Sequence, residues 1–336
     1  MVQKRRKRIA RLERLKQRSL LSRLPPIQTV NANTWLAPHT FEIFDARARS
    51  ILLRKLKELR RRIAIKREQV CLDFSRTEKM VADGTLLFIA ELRRLIRYVE
   101  GKIKIEYVPP KSDKIAQVLQ QIGLCDLLGI KSVVELKDAD VIHWRYAQGS
   151  QVEGKKYDDI LAEYDGEIAP ALQEKLFTGI TEAMTNVVNH AYDLKRDDGL
   201  DVNDSPKEWW MFSQEKDGFL SVSLCDLGAG IPRTLPIKHP KVWDRIKKFG
   251  RTSDADAIDY AVRDSTSRTK ESYRGHGLGQ IVRVCDSIDG AMVIIYSNQG
   301  AYSRLNRHKK LYRHADSILG TLICWKVPLQ EKEITT

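Results

Sequence analysis

The sequence predicts an α/β protein made of two unequal α/β units behind a basic helical arm. Three observations carry that expectation. From residue 68 onward, short apolar runs rich in β-branched and aromatic residues alternate with stretches of helical periodicity. In the C-terminal half, turn signatures join consecutive runs into hairpins. The third is the placement of charge: residues 1 to 24 hold ten basic side chains against Glu13 alone, and residues 46 to 67 hold ten against Glu58. The formal charge is +14 over 336 residues, so the remainder of the chain is slightly acidic. Composition divides the chain into a basic arm and helix (1–67), a small α/β unit (68–130), a connector with some structure of its own (131–165) and a larger unit (166–330).

In the arm, Ile9, Leu12 and Leu15 recur at helical spacing until Pro25-Pro26 ends the pattern. A second helix follows Asp45, with Leu52, Leu56, Leu59 and Ile63 on one stripe and Arg and Lys elsewhere. The small unit reads strand (69–74), helix through Leu86, Ile89, Leu92 and Ile96, strand (102–108), and a helix capped by Ser112 that ends near Gly123. The larger unit opens with a long helix whose apolar face runs through Leu172, Leu176, Ile180, Met184, Val187 and Ala191. A hairpin (208–213 and 219–225) comes next, then a long polar stretch and a helix at 278–287. Strands at 291–297 and 318–327 flank a basic excursion at 304–313.

Composition also excludes several classes. A hydrophobic content of 42% rules out disorder throughout. Cys71, Cys125, Cys225, Cys285 and Cys324 lie 39 or more residues apart, which offers no CxxC pair and no zinc spacing. There is no run of 18 apolar residues and no signal peptide, so a cytoplasmic protein without a membrane segment is expected.

Three segments carry chemistry. On the long helix Glu182, Asn186 and His190 stand four apart, and each step of four turns about 40° around the axis, so they share a face. That line of polar residues also suits a solvated surface. At the end of the second hairpin strand stands Asp226-Leu227-Gly228-Ala229-Gly230-Ile231-Pro232. Its glycines let the backbone approach a flat ligand, and an aspartate there can accept a hydrogen bond from an exocyclic amine. Farther on, Arg274-Gly275-His276-Gly277-Leu278-Gly279 leads into a helix, where amide donors at a helix N-terminus suit phosphate oxygens.

Taken in this order the segments resemble the N, G1 and G2 boxes of the GHKL superfamily, the ATP-binding fold of gyrase, high-molecular-weight heat-shock chaperones and histidine kinases. Gly320-Thr321, with Pro328 beyond, matches the closing strand of its kinase members. The resemblance covers roughly residues 165–330 and implies an α/β sandwich, a mixed sheet covered by helices on one face. It implies ATP and Mg²⁺ as cofactors, with Asn186 on the metal and Asp226 on the adenine amine. Gly228 and Gly230 would shape the adenine side, Gly275, Gly277, Leu278 and Gly279 would form the phosphate loop, and Thr321 would support the base. Glu182 would activate the nucleophile. These roles match what phosphoryl transfer needs: a metal, donors for developing charge and one group that orients or deprotonates the nucleophile.

The string Glu182-Ala183-Met184-Thr185-Asn186-Val187-Val188-Asn189-His190-Ala191-Tyr192 is similar to the N box of anti-sigma-factor serine kinases. Residues 131–180 contain only His143, which does not suit a sensor histidine kinase with its own phospho-accepting helix. Cys71-Leu72-Asp73-Phe74-Ser75 with the leucine-rich helix after Gly84 is similar to STAS domains, the substrates of such kinases. The usual D-S-S-G at the helix start is here Val81-Ala82-Asp83-Gly84, without a serine. The long segment between Ile231 and Gly275 reads as a lid in which Arg268, Lys270 and Arg274 are placed to reach a γ-phosphate, while Ser265, Thr266 and Ser267 suit caps. His276 reads as a loop-shaping donor, and His190 as a residue that is either packed or supports a site residue from behind.

Two functions follow as alternatives. One is an enzyme that transfers the γ-phosphate to a serine or hydrolyses it; the other is a nucleotide-gated interaction switch with little turnover. Expected partners are ATP, a protein (STAS-like, another regulator, or a second copy in a homodimer) and, through the basic arm, nucleic acid held by its phosphates. The arm lacks aromatic residues for base stacking, so its contact would be independent of sequence.

Overall fold

The computed structural model describes residues 33–131, 134–138, 141, 145–152, 170–200, 206–248, 250, 252–267, 277–283, 286 and 288–329. The expected arm helix at 1–24 lies outside these residues, as do Arg268, Lys270, Arg274, Gly275, His276 and Cys285.

The N-terminal unit is a three-stranded parallel sheet with helical crossovers. Its strands are β1 (Thr34–Leu36), β3 (Val70–Asp73) and β5 (Ile105–Val108), in that spatial order, and a short pair, β2 (Thr40–Phe41) and β4 (Lys79–Met80), sits apart. Parallel neighbours need a crossover. Helix α1 (Ala46–Arg60), continued by a wide turn at Arg61–Ile65, supplies the first, and α2 (Ala82–Tyr98) the second. Asp45 caps α1, accepting the Ala48 N–H at 2.7 Å, and basic Lys57 and Arg60 occupy its last turn, where the helix dipole favours cations. Ser112 caps α3 (Asp113–Gln121) as expected, and α4 (Leu124–Leu127) follows. Strand β1 lies in a segment the sequence presents as irregular; its register, Thr34 opposite Cys71 through Leu36 opposite Asp73, places Trp35 in the core.

The second unit is built on a seven-stranded sheet. Its elements are β6 (Arg145–Gly149), α5 (Pro170–Asn186) with a wide turn at Val187–Ala191, β7 (Trp209–Lys216), β8 (Phe219–Asp226), α6 (Ile231–Lys238) and α7 (Pro240–Lys248). They continue with α8 (Asp254–Ser267), α9 (Gly277–Arg283), β9 (Met292–Ser297), β10 (Gly300–Leu305), β11 (His308–Arg313) and β12 (Thr321–Pro328). The spatial order is β11-β10-β9-β12-β8-β7-β6, and every pairing is antiparallel. A mixed sheet was the expectation; among the described strands it is antiparallel throughout. The basic excursion at 304–313 proves to be the β10–β11 hairpin.

The sheet also differs from expectation in being covered on both faces. Along β7, Trp209 and Met211 join one apolar cluster while Trp210 and Phe212 join another, and along β9 Val293 and Ile295 alternate with Ile294 and Tyr296 in the same way. Successive side chains of a strand point to opposite faces, so an uninterrupted apolar run signals burial on both. The first face packs on α5, α8 and α9 through Leu176, Ile180, Met184, Ile258 and Ile281. The second packs on α2, which touches β7, β8 and β12. Thirteen of the seventeen residues of α2 are buried, so it is not a one-sided amphipathic helix but a layer between two sheets. From α2, Phe88 meets Trp35, Phe41 and Phe74 of the N-terminal unit at ring-centroid distances of 6.0, 5.1 and 5.7 Å. One apolar cluster therefore runs from Trp35 to Leu322 across both units.

Among the described residues no helix is long and apolar enough to cross a membrane. Cys71, Cys125, Cys225 and Cys324 are free thiols, and burial pushes those of Cys225 and Cys324 far up.

Candidate functional site

The site forms where β8 ends beside β12 and runs back against the last turn of the α5 segment. Asp226 is the final residue of β8, and Thr321, the first of β12, is its antiparallel partner. The Asp226 carboxylate is buried; it accepts the Gly228 N–H at 2.9 Å and is hydrogen-bonded by the hydroxyl and the amide of Thr321. Burial raises its pKa to about 6 against the pull of those donors and of the nearby Arg196 cation. A carboxylate acceptor with no salt-bridge partner among the described residues is thus held at the strand end.

The glycines around it are required by close approach. A Cβ at Gly228 would stand 2.2 Å from the carbonyl oxygen of Ala191, and the adjacent Ala229 N–H donates to that same oxygen at 2.7 Å. This contact joins the loop to the α5 segment. Gly230 has φ +81°, and a Cβ there would meet the Asn298 side chain at 2.5 Å. Asn298 donates from Nδ2 to the Ala229 carbonyl at 2.9 Å, and its Oδ1 accepts the Gly320 N–H at 3.3 Å. Ser297 accepts the Ile231 N–H at 2.9 Å, and its hydroxyl lies 3.2 Å from both the Gly320 carbonyl and the Thr321 hydroxyl. Tyr192 donates its hydroxyl to the Glu208 carbonyl at 2.6 Å and accepts the Leu227 N–H at 3.2 Å. Two loops and a helix end are laced together around Asp226.

Helix α9 packs along α5, which brings the helix start bearing Gly277, Leu278 and Gly279 beside the helix bearing Glu182 and Asn186. Glu182 and Asn186 are half-buried; His190 is exposed, because it lies in the wide turn rather than on the regular helix. Such wide turns recur at functional positions. Among the described residues, the Asn186 amide nitrogen and the Gln280 side-chain oxygen on α9 are buried polar atoms with no hydrogen-bond partner. The two atoms, a donor and an acceptor, lie on helices that pack together. No group of three or more His, Cys, Asp or Glu suited to a metal occurs among the described residues.

Between Ile231 and Gly275, helix α8 is clamped to the β10–β11 hairpin. Lys309 reaches the buried Asp259 at 2.7 Å, Arg313 reaches Asp256 at 3.2 Å, and the Gln299 N–H donates to Asp254 at 2.8 Å. The chain leaving α8 towards Gly275 lies outside the described residues.

Of the residues singled out in the sequence, the structure gathers Asp226, Gly228, Gly230 and Thr321 directly, and sets Glu182 and Asn186 on the helix that packs against Gly277, Leu278 and Gly279. Sequence reasoning assigned no role to Tyr192, Arg196, Ser297 or Asn298. Asn298 carried a signal, since it sits in an Asn-Gln-Gly turn and takes φ +50°, a conformation Asn tolerates. Arg196, in the charged run Lys195-Arg196-Asp197-Asp198, carried none. No protein-family model matches this chain, and no curated protein matches it.

Proposed function

We propose that the C-terminal unit binds ATP with Mg²⁺ and transfers or hydrolyses the γ-phosphate. The observation that carries this reading is the buried Asp226 carboxylate, fixed by Gly228 and Thr321 at a strand end beside the helix of Glu182 and Asn186. A carboxylate so placed can accept a hydrogen bond from the adenine amine. The unpartnered Asn186 Nδ2 is an N–H donor suited to a phosphate oxygen, while a bound Mg²⁺ would be held through the Asn186 Oδ1 and would supply charge neutralisation on the phosphates. Glu182, one turn earlier on the same helix, would orient or deprotonate the attacking hydroxyl or water. Backbone amides at the α9 start would receive phosphate oxygens.

Calorimetry with ATP and Mg²⁺, followed by measurement of phosphate release and of label transfer to a STAS-like protein, tests the reading. Wild type should bind and turn over, and Glu182→Ala should bind but lose turnover. No heat on titration of adenine nucleotides would end it.

A further inference from the structure

A buried charge network joins the N-terminal unit to the turn that presents Thr321. Arg196 lies in the segment that follows the α5 wide turn, and its guanidinium is enclosed. Through Nη1 it donates to Glu91 of α2 at 2.6 Å; through Nε it donates to the backbone carbonyl of Leu319, also at 2.6 Å. Glu91 is wholly buried, and its other oxygen accepts from Arg60 of α1 at 2.7 Å. Asp198 pairs with Arg94 of α2 at 2.7 Å and with Arg196 at 3.4 Å. Burial alone would raise the Glu91 carboxyl, but Arg196, Arg60 and Arg94 hold it well below the usual carboxylate range. Three guanidinium groups thus face two carboxylates, and one of them, Arg196, also acts on Asp226.

The contact with Leu319 is the informative one. Leu319 has φ +55°, in the left-handed region that costs an L-residue strain, and the next two residues are Gly320 and Thr321. Such a turn persists only when its surroundings fix it, and Arg196 fixes its carbonyl while Ser317 accepts the Leu319 N–H at 3.1 Å. The network ends on the backbone two residues before the hydroxyl that bonds Asp226.

We infer that Arg196 is a positioning residue for recognition of the purine 6-amine, held in place by Glu91 of the N-terminal unit, so that the N-terminal unit is a structural part of the base pocket. The inference rests on the ATP-binding reading above. Loss of the Glu91–Arg196 pair releases the Leu319 turn, lets Thr321 leave Asp226 and blurs the distinction between a 6-amine and a 6-carbonyl, while the phosphate-binding side is untouched.

The test uses the full chain and calorimetric titration of ATP, inosine triphosphate and inorganic tripolyphosphate, each with Mg²⁺. Glu91→Gln removes the charge that fixes Arg196. Arg196→Lys keeps the buried cation but loses the planar fork that spans Glu91 and Leu319; it serves should Glu91→Gln not fold, judged by circular dichroism. The expected result is a preference for ATP over inosine triphosphate in wild type that falls about tenfold in either folded variant, with tripolyphosphate affinity unchanged. An unchanged preference, or equal loss of all three ligands, overturns the inference and leaves the ATP reading intact. A wild type that binds ATP and inosine triphosphate equally also overturns the inference, and one that binds neither overturns the ATP reading itself.

Discussion

Protonation of Asp226 should switch off adenine recognition just below neutral pH. The group is fully enclosed, and burial sets its pKa to about 6 despite the Gly228 and Thr321 donors and Arg196. A 6-amine needs the carboxylate as acceptor, so affinity for the base follows the ionised fraction. From pH 7 to pH 5 that fraction falls from about nine-tenths to about one-tenth, which predicts about a tenfold loss of affinity. Because phosphate groups titrate in the same range, the quantity to measure is the ratio of ATP to inorganic tripolyphosphate affinity by calorimetry across pH 5 to 8. Binding should also release a proton near pH 6, seen as a dependence of the heat on the buffer. Asp226→Asn should flatten the profile and cost about 2 kcal/mol of ATP affinity at pH 8, the worth of a hydrogen bond to a charged acceptor. A ratio that does not change with pH in wild type, or a slope that survives in Asp226→Asn, refutes the assignment. The stability of the unliganded protein should move the other way. Since the folded pKa is raised above the ordinary 3.8, the stabilising contribution is complete below about pH 4 and is lost as pH rises through 6.

Gly228→Ala drives a methyl group into the Ala191 carbonyl and breaks the Ala229–Ala191 hydrogen bond, so it should cost about 2–3 kcal/mol in urea unfolding and weaken ATP binding; full retention of both would mean the loop does not rest on the helix end. Asp83, buried with the Ile43 and Gly84 amides on its carboxylate, also has its pKa raised to about 6 by burial. By the same sign, Asp83→Asn should raise stability at pH 8 by up to about 3 kcal/mol and do little at pH 4, and a gain of equal size at both would contradict the burial argument. Phe88→Ala empties the centre of the aromatic cluster and should cost about 3–5 kcal/mol, with the loss felt in one cooperative transition monitored from either unit. Deleting residues 1–24 should abolish any retention of the protein on DNA or RNA that collapses between about 50 and 200 mM salt, and retention that persists would place the contact elsewhere.

Much of the fold is legible because the local signals are strong. Asp45 and Ser112 announce helix starts by their capping oxygens, and the alternating and apolar runs mark β3, β5, β7, β8, β9 and β12 to within a few residues. What escapes is non-local. Strand β1 is three residues long and is specified by its parallel neighbour β3, not by its own pattern. The β10–β11 hairpin turns at Asn306 and Arg307, both with positive φ and neither a glycine, so it lacks the usual turn signature. The polar stretch after Pro232 holds three helices whose apolar stripes are narrow. The Trp209-Trp210-Met211-Phe212 run did carry the evidence of a sheet covered on both sides, since a half-exposed strand would alternate. In the site, glycines and acids are visible as spacing, whereas Arg196 and Glu91 stand 105 positions apart and acquire meaning only once α2 lies across the sheet.

The placement of α2 has a bearing on how this protein can be dissected. A fragment that starts at residue 166 would present Trp210, Phe212, Ile294, Tyr296 and Leu322 to water, an oily surface of the sort that drives proteins to clump. The amino-terminal 130 residues, cut free, would strand Arg60, Arg94 and Glu91 without Arg196 and Asp198. Each unit thus keeps part of its covered surface and part of its buried charge pairing in the other.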